Sequence, residues 1–455
     1  MNQRNRDLGE MHVGRLLFKL SLPATIGMVV NALYNLVDAI FIGLGVSADA
    51  LGGLTIAFPV QMMLMSLALM VGIGAGSVVS IHLGEKEYDK VNRVAGNASG
   101  LIIVITGLLV AGGLLFLTPL LTFFGAGTAP DLLPYARQYM SIILMGSIFF
   151  NFAVTANNLI RAEGNAKVAM IAMVIGTGIN IVLDPIFIFV FKMGIRGAAY
   201  ATIFSQFVSF LYVSFYFSSG RSSISLAFRH WRPQKSALRS IVVVGFPTLM
   251  RHIAASVVAV AVNNSLGKYG GKNAINAFGA IHRVMSFMFM PIFGVVQGMQ
   301  PIVGFNYGAK KFKRVLRAVI LAAMVITIFA SAGWVLSMLF AKNLMQLFVT
   351  EPEVIAIGEQ AIRIVFMMLP IVGVQIVSAV YFQSVGRARP ALILSMLRQV
   401  IFLIPLVLIL PRVGMGLSGV LWAYPLSDLL STIIGALMLR SAVLEMRSRT
   451  PVFTD

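Results

Sequence analysis

The chain has no cysteine, which excludes disulfides and thiolate-bound metals. It is also poor in charge. Only 11% of its 455 residues are charged while 58% are hydrophobic; a soluble domain carries roughly 25% charged residues. So apolar a chain would expose large sticky patches in water, so the solvent that fits it is a bilayer. Acids are scarcer than bases: 16 Asp and Glu stand against 35 Lys and Arg, leaving +19. The basic residues sit between apolar runs, which reads as membrane topology rather than as a nucleic-acid surface. Phosphate-loop, zinc-protease and nucleophile-elbow motifs are also missing, so the chain does not read as an enzyme and no cofactor is expected. The N-terminal stretch MNQRNRDLGEMHVGRLLFKL lacks a short apolar core with a small-residue cleavage site, so no removable signal peptide is expected.

What is abundant is long apolar runs. A spanning helix needs about 20 mostly apolar residues. Twelve stretches qualify, near 16–43, 51–82, 94–120, 133–160, 167–191, 195–218, 239–266, 274–304, 315–341, 354–384, 390–411 and 416–439. The fold expected is therefore all-α, a polytopic membrane protein of about twelve transmembrane helices in two pseudo-symmetric six-helix lobes. Pro23, Pro59, Pro247 and Pro291 fall within or near these helices and should bend them. Basic residues crowd one set of loops, among them Lys86-Lys90-Arg93, Arg161-Lys167 and Lys310-Lys311-Lys313-Arg314-Arg317. That bias predicts both termini in the cytoplasm, and the expected location is the bacterial cytoplasmic (inner) membrane.

One long polar stretch, 219–238, divides the chain near its middle. The expected division is an N-lobe at 1–218, a cytoplasmic linker at 219–238 and a C-lobe at 239–455. An internal repeat crosses the linker. GAGSVVSIHLGEKEYDK (74–90) aligns with GMQPIVGFNYGAKKFKR (298–314), and MGIRGAAYATIFSQ (193–206) with MGLSGVLWAYPLSD (415–428). Six helices return the chain to its starting side, so the two halves run parallel, a plan common in secondary transporters. The glycines Gly72, Gly74 and Gly76 suit close helix packing better than a nucleotide.

Nearly all the acids fall in loops or tails, but Asp38, Asp184 and Asp428 fall inside spans. An ionised carboxylate in hydrocarbon costs several kcal/mol, so each must face protein or water. Asn31, Tyr34 and Asn35 share a helical face with Asp38, and Asn180 lies one turn before Asp184. Depth counting puts Asp38, Asn180, Asp184 and Thr202 in one layer. Two carboxylates sharing a dry site cannot easily both stay ionised. Such a pair either takes up a proton near neutral pH or, with the Asn and Thr oxygens, coordinates Na⁺. Asp428 comes to the depth of Arg398, which reads as a structural pair rather than a second ion site. Arg251-His252 and His282-Arg283 are also deep, either lining a cavity or bonding backbone carbonyls.

These residues resemble the multidrug and toxic compound extrusion (MATE) transporters, within the wider multidrug/oligosaccharidyl-lipid/polysaccharide exporter superfamily. The resemblance covers the whole chain. It rests on NALYNLVDAIFIG, GIGAGSVVSIHLGEKEYDKVN, NLIRAEGNAK, NIVLDPIFIF and GMQPIVGFNYGAKKFKRV, and is closest to the DinF-like and MepA-like bacterial branches. It implies alternating access driven by inward H⁺ or Na⁺, with export of organic, often cationic, small molecules. The family's N-lobe cation site matches Asp38, Asn180, Asp184 and Thr202, and Tyr34 and Asn157 match polar residues lining that lobe. Another branch carries an essential acid in its seventh helix, where this chain has Arg251 and His252. No C-lobe cation site is therefore carried over. The cavity-lining set is read as Tyr34, Asn35, Asn157, Arg251, His252 and Arg283. The basic members leave room for lipid-linked or anionic amphiphilic substrates, and a monomer in contact with membrane lipid is expected.

Overall fold

A computed structural model describes residues 3–127 and 129–448; the side chains at 34–36, 38–40, 42–45, 48 and 447 lie outside the described set. Among the described residues every regular element is a helix. In a bilayer no water satisfies exposed N–H and C=O groups, so an apolar run of this length closes its backbone bonds within itself. Among the described residues ten helices are long and apolar enough to cross a membrane, and an eleventh span is formed if Pro352–Val365 and Leu369–Ser384, bent by 56°, count as one. The helix Lys235–Gly308 has 74 residues and breaks at Gly271, whose φ is +66°. At 1.5 Å per residue it is far too long for one ~30 Å crossing. Read as two spans, it brings the count to the twelve predicted.

The spans, in chain order, begin with Val13–Gly45, Ala48–Gly84, Tyr88–Leu115 and Leu133–Ala162. The fifth is Ala166–Pro185, continued by a wide π-helical turn at Ile186–Val190, and the sixth is Ile195–Ser218. The seventh and eighth share Lys235–Gly308, and the ninth is Phe312–Leu339. The bent tenth follows. The eleventh runs through Ala388–Met396, a π-helical Leu397–Leu403 and Ile404–Ile409, and the twelfth is Gly416–Ser448. Pro23, Pro59, Pro247 and Pro291 all sit inside helices. Ser47 caps the second span by accepting from the Ala50 N–H at 3.1 Å, and Asn165 caps the fifth by accepting from the Val168 N–H at 3.4 Å.

Two compact units emerge. One comprises Met1–Asp7 and Ile26–Gly245, the other Leu8–Thr25 and Phe246–Asp455. The polar stretch 219–238 folds within the first: Asn97 Nδ2 donates to the carbonyls of His230 and Arg232, each at 3.2 Å, and Asn97 Oδ1 accepts from the Gln234 N–H at 2.7 Å. In that unit the second span and the start of the seventh meet backbone to backbone. A Cβ on Gly74 would lie 2.1 Å from the Ile241 carbonyl oxygen, and one on Gly245 1.9 Å from that of Met70. Gly72 lies against the Asn158 side chain, where a Cβ would come 2.7 Å from Nδ2, and Gly76 against the Asn158 carbonyl oxygen at 3.1 Å.

The repeat recurs as backbone geometry. The left-handed residues Gly164, Lys192 and Gly194 return as Gly386, Gly414 and Gly416, always 222 positions on. Gly164 and Gly386 close the same turn, donating to the carbonyls of Arg161 and Gln383 at 2.9 and 3.1 Å.

Candidate functional site

The fifth and sixth spans pack antiparallel. Ser209 Oγ donates to the Ala172 carbonyl at 3.0 Å, and two turns along the fifth span Asn180 faces Thr202. Asn180 and Asp184 are four residues apart, so they share one face of their helix. Asn180 Nδ2 donates to Asp184 Oδ1 at 3.2 Å and, more weakly, to Thr202 Oγ1 at 3.4 Å. Asp184 is fully buried, and Asn180 and Thr202 are 2% and 6% exposed. With its amide N–H₂ turned to the carboxylate, Asn180 points its Oδ1 the other way, where it meets no hydrogen-bond partner among the described residues. A buried carbonyl oxygen left open costs free energy. It is an acceptor open to a donor or a hard cation on the side away from the carboxylate. With the amide turned over, Asn180 Oδ1 would face the same side as Asp184 Oδ1 and Thr202 Oγ1, and these three oxygens could then hold Na⁺.

Asp38, Tyr34 and Asn35 belong to the first span, but their side chains lie outside the described residues. Asn157, on the fourth span, is buried, and its Oδ1 also lacks a hydrogen-bond partner among the described residues. At the repeat offset of 222, the second unit carries Phe402, Leu406 and Tyr424 where the first carries Asn180, Asp184 and Thr202. The oxygen cluster is thus a feature of one half alone.

The second unit holds charge differently. Arg398 Nε donates to Asp428 Oδ1 at 2.5 Å, with the Asp428 side chain 4% exposed. The guanidinium also lies 5.9 Å from the centre of the Phe289 ring. Arg398 stands on the π-helical stretch of the eleventh span. Arg251 and His252 are half-buried, whereas Arg283 is exposed on its helix. Among the described residues Arg251 enters no ion pair or side-chain hydrogen bond.

The sequence reading placed Glu163 among the loop acids, yet it is fully buried. Its carboxylate accepts from the Tyr216 hydroxyl, from Ser222 Oγ at 3.0 Å and from the Ser223 N–H at 2.7 Å. Arg4 Nη1 stands 3.6 Å away and also bonds the Tyr216 hydroxyl. Burial pushes the carboxyl above its ordinary range; the three hydrogen bonds and Arg4 pull the other way without cancelling it. A group with metal-ligand chemistry, His82, Glu85 and Glu87, ends the second span. There Lys90 Nζ already sits 2.8 Å from Glu87, supplying the cation.

With this geometry in hand, comparison with known proteins gives a consistent answer. The MatE family model matches residues 23–186 and 247–409, two stretches that follow the internal repeat. The chain is 26% identical to the multidrug export protein MepA of Staphylococcus haemolyticus (strain JCSC1435) over 445 residues, covering 97% of this chain and 96% of that one. MepA of Staphylococcus aureus (strain NCTC 8325 / PS 47) is 26% identical over 451 residues, with the same coverage of 97% and 96%. An outward-facing multidrug resistance MATE transporter of the MOP superfamily superposes with a TM-score of 0.92 at 26% identity, over 98% of this chain and 100% of that one. A MOP superfamily transporter from Pyrococcus furiosus, described as having a binding pocket of reversed polarity, gives 0.92 at 26% identity over 98% and 99%. A model matched through both halves, together with full-length relatives in sequence and structure, means that this chain belongs to the MatE family.

Proposed function

We propose that the protein is a secondary active multidrug exporter of a bacterial cytoplasmic membrane. It moves organic, cationic amphiphilic compounds outward by alternating access, driven by inward H⁺ or Na⁺, with both termini in the cytoplasm. The relatives' names speak for multidrug export. The observation that carries the coupling reading is the buried Asn180–Asp184–Thr202 cluster with its open Asn180 Oδ1, present in one repeat and replaced by Phe402, Leu406 and Tyr424 in the other. Occupation of this cluster and Asp38 by a proton or Na⁺ biases the N-lobe between two states of different substrate affinity, as coupling requires. Transport rather than catalysis is the activity, and the functional unit is a monomer.

The test is efflux of a cationic dye from proteoliposomes under a pH gradient or a Na⁺ gradient, imposed separately. Asp184→Asn keeps the shape but loses the ionisable group, so gradient-driven efflux should fall to the leak level. Full gradient-driven export by that variant would sink the coupling reading.

A second reading, export of lipid-linked or anionic amphiphilic compounds, is favoured by one feature. Arg251 is half-buried in an apolar helix with no acidic partner among the described residues. An anion-selective exporter would transport an amphiphilic phosphate in preference to the dye and lose that preference in Arg251→Gln.

A further inference from the structure

The ninth and twelfth spans form an open groove of about 480 Å³ on the second unit. Leu316, Ile320, Met324 and Ile328 line one wall, and Leu439 and Val443 the other. From Leu316 to Ile328 the helix rises about 18 Å at 1.5 Å per residue, close to one leaflet of a ~30 Å hydrocarbon core. Three cations lie on the turns that flank it. Lys313 and Arg317 continue the Ile320–Met324 stripe at helical spacing, and Arg440 lies between the two residues of the opposite wall. All three are exposed. Among the described residues none of them takes part in an ion pair or side-chain hydrogen bond. Glu445, the acid near Arg440 on the twelfth span, is already held by Arg387 at 2.6 and 2.7 Å.

We propose that this groove is a binding site for an anionic phospholipid. One acyl chain fills the apolar wall from Leu316 to Ile328, and the headgroup phosphate is held by Lys313, Arg317 and Arg440. A zwitterionic lipid could fill the groove equally well but would leave three cations with only partial compensation. Basic positions between membrane helices at one interface are where anionic headgroups are retained. The positive-inside pattern accounts for cations near this interface, but not for their place on the same helix turns as the residues that line an acyl-sized groove.

Native mass spectrometry of the full-length transporter tests this, in detergent with equimolar dioleoyl phosphatidylglycerol and phosphatidylcholine. The wild type should retain phosphatidylglycerol preferentially. Arg317→Gln with Arg440→Gln should lower that retention about fivefold per charge. Ala323→Phe, which fills the groove without touching a charge, should lower it as well. Arg412→Gln, an exposed charge at the opposite end of these spans, should leave it unchanged. Equal retention of the two lipids by the wild type would mean a non-selective lipid shell and overturn the proposal. So would undiminished phosphatidylglycerol on either the double variant or Ala323→Phe. The charge substitutions are on exposed side chains, so elution as a folded monomer separates lost binding from lost folding.

Discussion

Lys86 and Lys310 stand 224 residues apart and adopt the same left-handed backbone, with φ of +63° and +56°. Each follows the end of a long membrane helix, and each closes the same turn: the Lys86 N–H donates to Leu83 at 3.2 Å, and the Lys310 N–H to Tyr307 at 3.0 Å. A side chain in this region costs about 1 kcal/mol, because Cβ crowds the carbonyl oxygen. The two halves have kept one strained turn, with the same residue type at its tightest point. Lys86→Gly and Lys310→Gly should each leave thermal stability in detergent unchanged or raise it by up to about 1 kcal/mol, and by similar amounts. Lys86→Val should lower it by about 1–2 kcal/mol, since a β-branched residue fits the conformation worst. A Lys86→Gly variant markedly less stable than the wild type would show that the lysine stem, not the backbone, holds the turn.

Gly74 and Gly112 separate two meanings of a membrane glycine. A Cβ at Gly74 would meet the Ile241 carbonyl oxygen at 2.1 Å, whereas at Gly112 nothing lies within 4 Å. Backbone cannot yield as a flexible side-chain end does. Gly74→Ala should therefore destabilise by about 1–3 kcal/mol through overpacking. Gly112→Ala should be neutral or stabilising by up to about 1 kcal/mol through helix propensity. Thermal unfolding of both variants beside the wild type decides it; equal shifts would contradict the backbone contact.

Much of this was legible in the sequence, and for physical reasons. Spans show themselves because a bilayer demands uninterrupted apolar runs, and the repeat shows itself because its glycines and turn residues recur in register. Depth grouped Asp38, Asn180, Asp184 and Thr202, since a helix rises by a fixed amount per residue; the last three meet, and the Asp38 side chain lies outside the described residues. Burial of Glu163 was invisible, because Tyr216, Ser222, Ser223 and Arg4 come from three other segments. The π-helical stretches at Ile186–Val190 and Leu397–Leu403 were also unreadable. A wider turn leaves no mark in hydrophobic periodicity when both faces are apolar.

Glu163 makes the stability of the first unit depend on pH. Its folded value lies above the ordinary 4.5 because burial outweighs the stabilising contacts. The folded state therefore keeps the proton at pH values where the unfolded chain has released it. Stability from this group rises as pH falls through the folded value towards about 4.5, and is lowest above it. Thermal unfolding across that window should show this slope in the wild type, and Glu163→Gln should flatten it. Arg4→Ala removes the opposing charge and should move the slope to higher pH. A slope identical in the wild type and Glu163→Gln would assign it to another group.

Arg398 and Asp428 supply the sharpest energetic test in the second unit. The Asp428 side chain is 4% exposed and that of Arg398 20%, with 2.5 Å between donor and acceptor. Breaking a buried pair strands a charge in low dielectric, which costs about 3–5 kcal/mol, whereas replacing both partners by apolar residues of similar size is often neutral. Asp428→Leu and Arg398→Met should each be strongly destabilising, and the double variant should recover most of the loss. That non-additivity, about 2–3 kcal/mol or more, is the signature of direct coupling. Transport decides the role. A structural tie predicts that the double variant, once stable, still exports under an ion gradient. Loss of coupled export in a stable double variant would instead give Asp428 a part in moving the ion, and the C-lobe would then share the work proposed for the N-lobe.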